Sequence, residues 1–128
     1  MDILQTIRKD YQNFPADQTY SLYSNNVFFK DPLTQFRGIK RYQAMIRFIK
    51  RWFLNPELQL HSIQQTDNQI ETRWTLSWNA PLPWKPHITI QGWSQLELNT
   101  DQQICSHIDY WNCSRFDVLK QIIPQKSR

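Results

Sequence analysis

Three stretches carry residue types and spacings that could do chemistry. Asp31 follows the apolar run Val27-Phe28-Phe29 and is locked against Pro32. A carboxylate among bulky apolar groups is costly unless it has partners, so two readings stand. Asp31 accepts backbone N–H bonds and orders the loop before Phe36; or it lies at a cavity mouth, where desolvation raises its pKa and suits it to proton abstraction. Farther along, His107 and Asp109 stand two apart in "ICSHIDYWN" and so share one face of a strand. They read either as an imidazole–carboxylate acid–base pair or as a satisfied polar pair at a sheet edge or dimer contact. Strict alternation also puts Cys105 on that face, but no helical His-x-x-x-His or paired Cys-x-x-Cys spacing supports a metal site.

The third group is aromatic. Aromatic residues make up 14% of the chain, with 6 Trp against 2 Gly. Trp74, Trp78, Trp93 and Trp111 could stack on a flat ligand or fill a core between sheet and helix; Trp74 and Trp78 read first as core. Trp84, in the "PLPWKP" loop, is placed to hang over a cavity mouth as a lid. Scarce glycine argues against a phosphate-cradling loop, and none is present. Lys40, Arg47 and Arg51 form a basic stripe with no acidic partner in residues 39–53. It reads as a solvated helix face, or as a weak peripheral contact with phosphate or anionic lipid. No nucleic-acid-binding fingerprint accompanies it, so no nucleic-acid partner is expected.

The elements that must position these residues follow from periodicity. Ile3, Leu4, Ile7 and Tyr11 mark an amphipathic helix over residues 2–13, stopped by Pro15. Asp17 is placed to cap a short second helix carrying Tyr20 and Tyr23. Val27–Lys30 reads as a short strand and "DPLTQFRG" as a loop. Residues 39–53 form the clearest helix, with Tyr42, Met45, Ile46, Ile49, Trp52 and Phe53 on one face, ended by Asn55-Pro56. The period then switches to two. Strands are predicted over 58–66, 70–78, 88–98, with a bulge or bend at Gly92, and 104–111. Ser114-x-x-Asp117 resembles a capping box opening a terminal helix that Pro124 ends. Helices followed by an antiparallel meander predict an α+β fold, one domain over 1–128, with the sheet bent around the long helix into an open cone. The net charge of +4 is modest, the N-terminus lacks the pattern of a signal peptide, and no apolar run is long enough to span a membrane. These features predict a soluble, cytoplasmic protein with Cys105 and Cys113 as free thiols.

That order of elements, together with Phe-x-Asp-Pro…Phe-x-Gly-Ile-x-x-Tyr from Phe29 to Tyr42, resembles the nuclear transport factor 2-like (SnoaL-like) superfamily. More narrowly, it resembles the uncharacterised domain-of-unknown-function family 2358 of cyanobacteria and plastids. The resemblance covers the chain from about residue 2 to residue 112. It implies a cone-shaped α+β fold whose chemistry varies between members. Asp31-Pro32 matches the position of the general base in ketosteroid isomerase, and Tyr11 that of one oxyanion donor. Ser94 stands where the second donor, a protonated Asp, would be. Arg73 and Asp109 resemble part of the water-positioning set of limonene epoxide hydrolase, although Arg73 lies on the polar face of its strand. His107 and Asp109 resemble the polar groups that polyketide cyclases place on the last strand.

Three functions follow. The first is a small-molecule binding protein for an apolar or aromatic ligand, using Trp74, Trp78, Trp93, Trp111, Phe36 and Tyr23, with Asp31, Tyr11 and His107 orienting the ligand. The second is an isomerase, cyclase or dehydratase with Asp31 as base and Tyr11, His107 or Asp109 assisting. The third is an interaction or assembly factor whose cavity is filled by side chains. No cofactor or metal is implied, and the resemblance implies a homodimer formed through the sheet.

Overall fold

The computed structural model describes residues 2–124, so the two ends of the expected 1–128 domain fall outside the described residues. Helix α1 (Ile3–Asn13) is opened by Asp2, whose side chain accepts from the Gln5 N–H at 2.8 Å. Strand β1 (Tyr23–Lys30) leads into the short β2 (Gln35–Arg37), and helix α2 (Ile39–Trp52) follows. Then come β3 (Leu54–Thr66), β4 (Gln69–Asn79), β5 (His87–Leu98), β6 (Ile104–Trp111) and helix α3 (Arg115–Ile122). All strands join one six-stranded sheet in the order β2-β1-β6-β5-β4-β3. The meander β3 to β6 is antiparallel, as the alternation predicts, while β1 runs parallel to β6. α1 and α2 lay their apolar faces onto the sheet. Ile7 joins a core with Ile70, Leu96 and Ile104, and Tyr42 and Ile46 pack on Phe29.

The departures from expectation have local causes. The predicted second helix is only a 3-10 turn (Tyr20–Leu22), and Tyr23 already belongs to β1. Asp17 caps nothing: its φ is 50°, and no side chain caps the turn, whose preceding residue Thr19 is instead tied to α1 by Asp10, which accepts from the Thr19 N–H at 3.0 Å and its hydroxyl at 2.8 Å. The segment expected as a loop folds back as β2, pairing Phe29 with Phe36. β3 starts before Pro56 rather than after it, because β3 is an edge strand and tolerates a residue with no N–H. Lys40, Arg47 and Arg51 are exposed as predicted, beside exposed Phe48 and Trp52.

Both glycines are required, for different reasons. Gly38 precedes α2 with φ 117°, a conformation that L side chains rarely adopt. Gly92 is not a bulge, since it pairs in register with both Trp74 and Trp111. It is a close approach: a Cβ there would collide with the Tyr110 carbonyl and come within 2.8 Å of the Trp74 ring. Gly92→Ala is therefore expected to destabilise the fold by about 2–3 kcal/mol through overpacking, seen as a lower midpoint in urea unfolding.

The one bulge that matters for function lies in β6. Leu98 pairs with Ile104 but Glu97 pairs with Ser106, so Cys105 is the extra residue. It shifts the alternation, which lets Ile104 and His107, three apart, both be buried. The face expected to carry Cys105 with His107 and Asp109 therefore loses the cysteine, whose thiol instead donates to the Glu97 carbonyl at 3.4 Å. Cys105 and Cys113 are free thiols.

Candidate functional site

The cone encloses a cavity of about 330 Å³, at the lower end of the range for small-molecule sites. α1 contributes Tyr11, α2 contributes Tyr42, Met45, Ile46 and Ile49, and the sheet contributes Trp74, Trp78, Ile90, Ser94, His107, Asp109 and Trp111. Val118, Leu119 and Ile122 of α3 form one further wall. A more open groove of about 420 Å³ over Arg8, Gln12 and Leu58–His61 lies away from all the chemistry-bearing residues.

Of the predicted site residues, the structure brings Asp31, Tyr11, His107, Asp109, Trp74, Trp78, Trp111 and Tyr23 to this cavity. Two do not reach it. Phe36 stacks on Phe29 at 5.0 Å between centroids, because β2 lays it behind the cavity wall. Trp93 points to the opposite face of β5, where it stacks on Tyr110 at 4.1 Å. Trp84 is not a lid either. Its indole N–H donates to the Ile122 carbonyl at 2.8 Å and ties the end of α3 to the β4–β5 connection.

Asp31 orders its loop and also lines the cavity. Its Oδ1 accepts from the Leu33 and Thr34 N–H groups at 2.8 and 2.7 Å, which orders the turn into β2. Its Oδ2 takes no protein hydrogen bond, yet no buried polar side-chain atom among the described residues lacks a partner. That oxygen is therefore open, and Asp31 lines the cavity. Burial raises its carboxyl above the ordinary value of 3.8; the two N–H bonds oppose this, while Asp109 adds to it. Asp31 makes no hydrogen bond to Tyr11 or His107.

The second polar group is a connected chain. Asp109 Oδ1 accepts from the Ser94 hydroxyl at 2.5 Å and bonds His107 Nε2 at 2.7 Å. Ser94 in turn accepts from the buried Trp74 N–H at 2.8 Å. His107 Nδ1 meets the Tyr23 hydroxyl at 3.1 Å, and Tyr23 meets Tyr42 at 3.0 Å. Tyr11 is bonded to the buried Thr72 hydroxyl at 2.8 Å. Burial raises the pKa of Tyr11, Tyr23 and Tyr42, so all three hydroxyls keep their protons. Both nitrogens of His107 are thus engaged, and the pairing of His107 with Asp109 expected from their spacing is present.

Sequence reasoning missed Tyr42 and Thr72. Tyr42 was legible as a hydroxyl on an otherwise apolar helix face, whereas Thr72 gave no signal beyond its place in an alternating strand. Arg73 points outward and pairs with Glu71 at 3.1 Å, so it supplies nothing to the cavity.

With this geometry in view, the comparisons with known proteins can be read. The family of uncharacterised conserved proteins DUF2358 matches residues 1–107. The chain belongs to this family. Among solved structures it is similar to an NTF2-like protein of unknown function from Burkholderia pseudomallei K96243 (TM-score 0.76, 14% identity, 94% of this chain and 97% of that one). It is also similar to a protein from Catenulispora acidiphila DSM 44928 with a ketosteroid isomerase-like fold, solved with trimethylamine (0.76, 12%, 96% and 94%). An M. tuberculosis LEH-like epoxide hydrolase shares the fold at TM-score 0.70 and 16% identity, over 92% and 84% of the two chains. No curated protein matches the chain. The fold of this DUF2358 member is thus the nuclear transport factor 2-like cone, as its motifs suggested.

A folded-state carboxyl pKa raised above its unfolded value means that the native state holds the proton more tightly, so the native state is penalised as pH rises through that window. For Asp31 the window opens at 3.8 and extends upward. The stability of Asp31→Asn relative to wild type is expected to improve as pH is raised from about 3 to about 7. Urea midpoints of both proteins across that range test this; a difference independent of pH means that the carboxylate is not desolvated.

Proposed function

We propose that this protein binds an apolar or aromatic small molecule inside its cone. The observation that carries this reading is the unfilled cavity of about 330 Å³, walled by aliphatic and aromatic side chains and holding a small number of placed polar groups. The arrangement of those groups favours binding over catalysis. His107 has both nitrogens engaged, Tyr11 and Tyr23 are bonded to protein partners, and Ser94 stands where a second oxyanion donor would be needed.

One observation favours an isomerase- or cyclase-like enzyme as a second reading. Asp31 is a partly desolvated carboxylate with an open oxygen on the cavity, as a base for proton abstraction requires. On that reading Asp31→Asn abolishes turnover while the fold is retained. The outer face of the sheet, where Arg73, Trp93 and Tyr110 lie side by side in register, supports a homodimer. Trp93→Ser is expected to shift a sedimentation-velocity dimer toward monomer without altering ligand binding.

The binding reading is tested with an apolar fluorescent probe such as 1-anilinonaphthalene, expected to bind once per chain with enhanced emission. Met45→Trp fills the cavity from α2 and is expected to weaken that binding at least tenfold, with little change in unfolding midpoint. Unchanged binding by Met45→Trp places the probe elsewhere and removes the proposal.

A further inference from the structure

The hydrogen-bonding polarity of the cavity narrows the ligand further, on the assumption that the binding reading is correct. Its described lining contains no Lys or Arg, although the protein carries a net charge of +4. The donors of its polar chain can be followed proton by proton. A carboxylate only accepts, so His107 Nε2 carries the proton it shares with Asp109. When the ring is neutral, Nδ1 is a lone pair to which Tyr23 donates, and Tyr42 then donates to Tyr23. Ser94 donates to Asp109, and Trp74 donates to Ser94. The Tyr11 proton has Thr72 or Ser94 as acceptor, and both Gln18 amide protons go to the carbonyls of Asp10 and Ala16.

What this polar chain leaves for a ligand is acceptor capacity. Asp31 and Asp109 each use only Oδ1 within the protein, and Tyr42 keeps lone pairs. The indole N–H groups of Trp78 and Trp111 are the remaining lining donors, and they are neutral. The two carboxylates come from different elements, β6 and the β1–β2 turn, and both line the same cavity, where a cation between them would meet two negative charges. The same cavity is lined by Trp74, Trp78 and Trp111, and an aromatic face attracts a cation through its ring quadrupole.

We infer that the cavity takes an apolar or aromatic molecule bearing a protonated amine, with the ammonium seated between Asp31 and Asp109, and that it discriminates against carboxylates and phosphates of the same shape. The surface charge of the protein opposes this preference; only the cavity lining produces it.

The test uses three probes with one naphthalene body: 2-(1-naphthyl)ethylamine, 2-(1-naphthyl)ethanol and 1-naphthylacetate, titrated into the full chain by isothermal calorimetry at neutral pH. The amine is expected to bind at least tenfold more tightly than the acetate, with the alcohol between them. Asp31→Asn keeps the turn-capping oxygen and is expected to narrow the amine-to-acetate ratio. If the alcohol binds but the amine is no tighter than the acetate, the charge preference is overturned and the binding reading stands. If none of the three binds, both fall together. The wild-type ratio alone decides the matter should a variant fold poorly.

Discussion

Most of the site depends on a single oxygen. Asp109 Oδ1 receives Ser94 and His107 together, and through them it reaches Trp74 on β4, Tyr23 on β1 and Tyr42 on α2. A buried carboxylate is tolerable only when its charge is met by well-placed donors, and here the donors come from the elements that form the cone. Each bond is worth about 1 kcal/mol net, but a buried donor left unmet costs about 1–3 kcal/mol. The network therefore acts less as glue than as a constraint on register. β4, β5 and β6 must align so that Trp74, Ser94 and Asp109 meet, and β1 must pair parallel to β6 so that Tyr23 meets His107.

The division of aromatic side chains follows from the same geometry. Phe53 stacks on Trp78 at 4.2 Å between centroids, and Tyr23 on Tyr42 at 4.6 Å, which fixes the ring planes that wall the cavity. Phe29, itself a lining residue, packs against Tyr42 and Ile46 of α2. A bent sheet and a single long helix do not close on each other, and the space between them remains open as the cavity.

Much of this was legible in the sequence, and the reasons are physical. The period-two strands and the period-3.6 helix carry strong signals because each buries one face, so β4, β5, β6 and α2 were located almost to the residue, as were the Ser114–Asp117 cap and the pairing of His107 with Asp109. Asp31 was recognised as ambiguous, and in the structure it both orders its turn through Oδ1 and lines the cavity. What could not be read were features set by long-range pairing. The bulge at Cys105 depends on the register of β5 and reverses a face that simple alternation assigns. Gly92 looks like any strand glycine until Trp74 and Tyr110 are packed against it. Trp93 and Phe36 could not be separated from the cavity set by residue type, because the side of the wall each one takes is decided by neighbouring strands.

The last wall of the cavity stands apart from the rest. α3 is held by its own capping box, by the pairing of Gln121 with the backbone of Thr89 in β5, and by the Trp84 indole on Ile122. The stretch matched by the family ends at residue 107, so Asp109, Trp111 and the α3 side chains that face the cavity all lie beyond it. Changes in α3 can alter the lining at Val118, Leu119 and Ile122 while the network around Asp109 and His107 of β6 stays as it is.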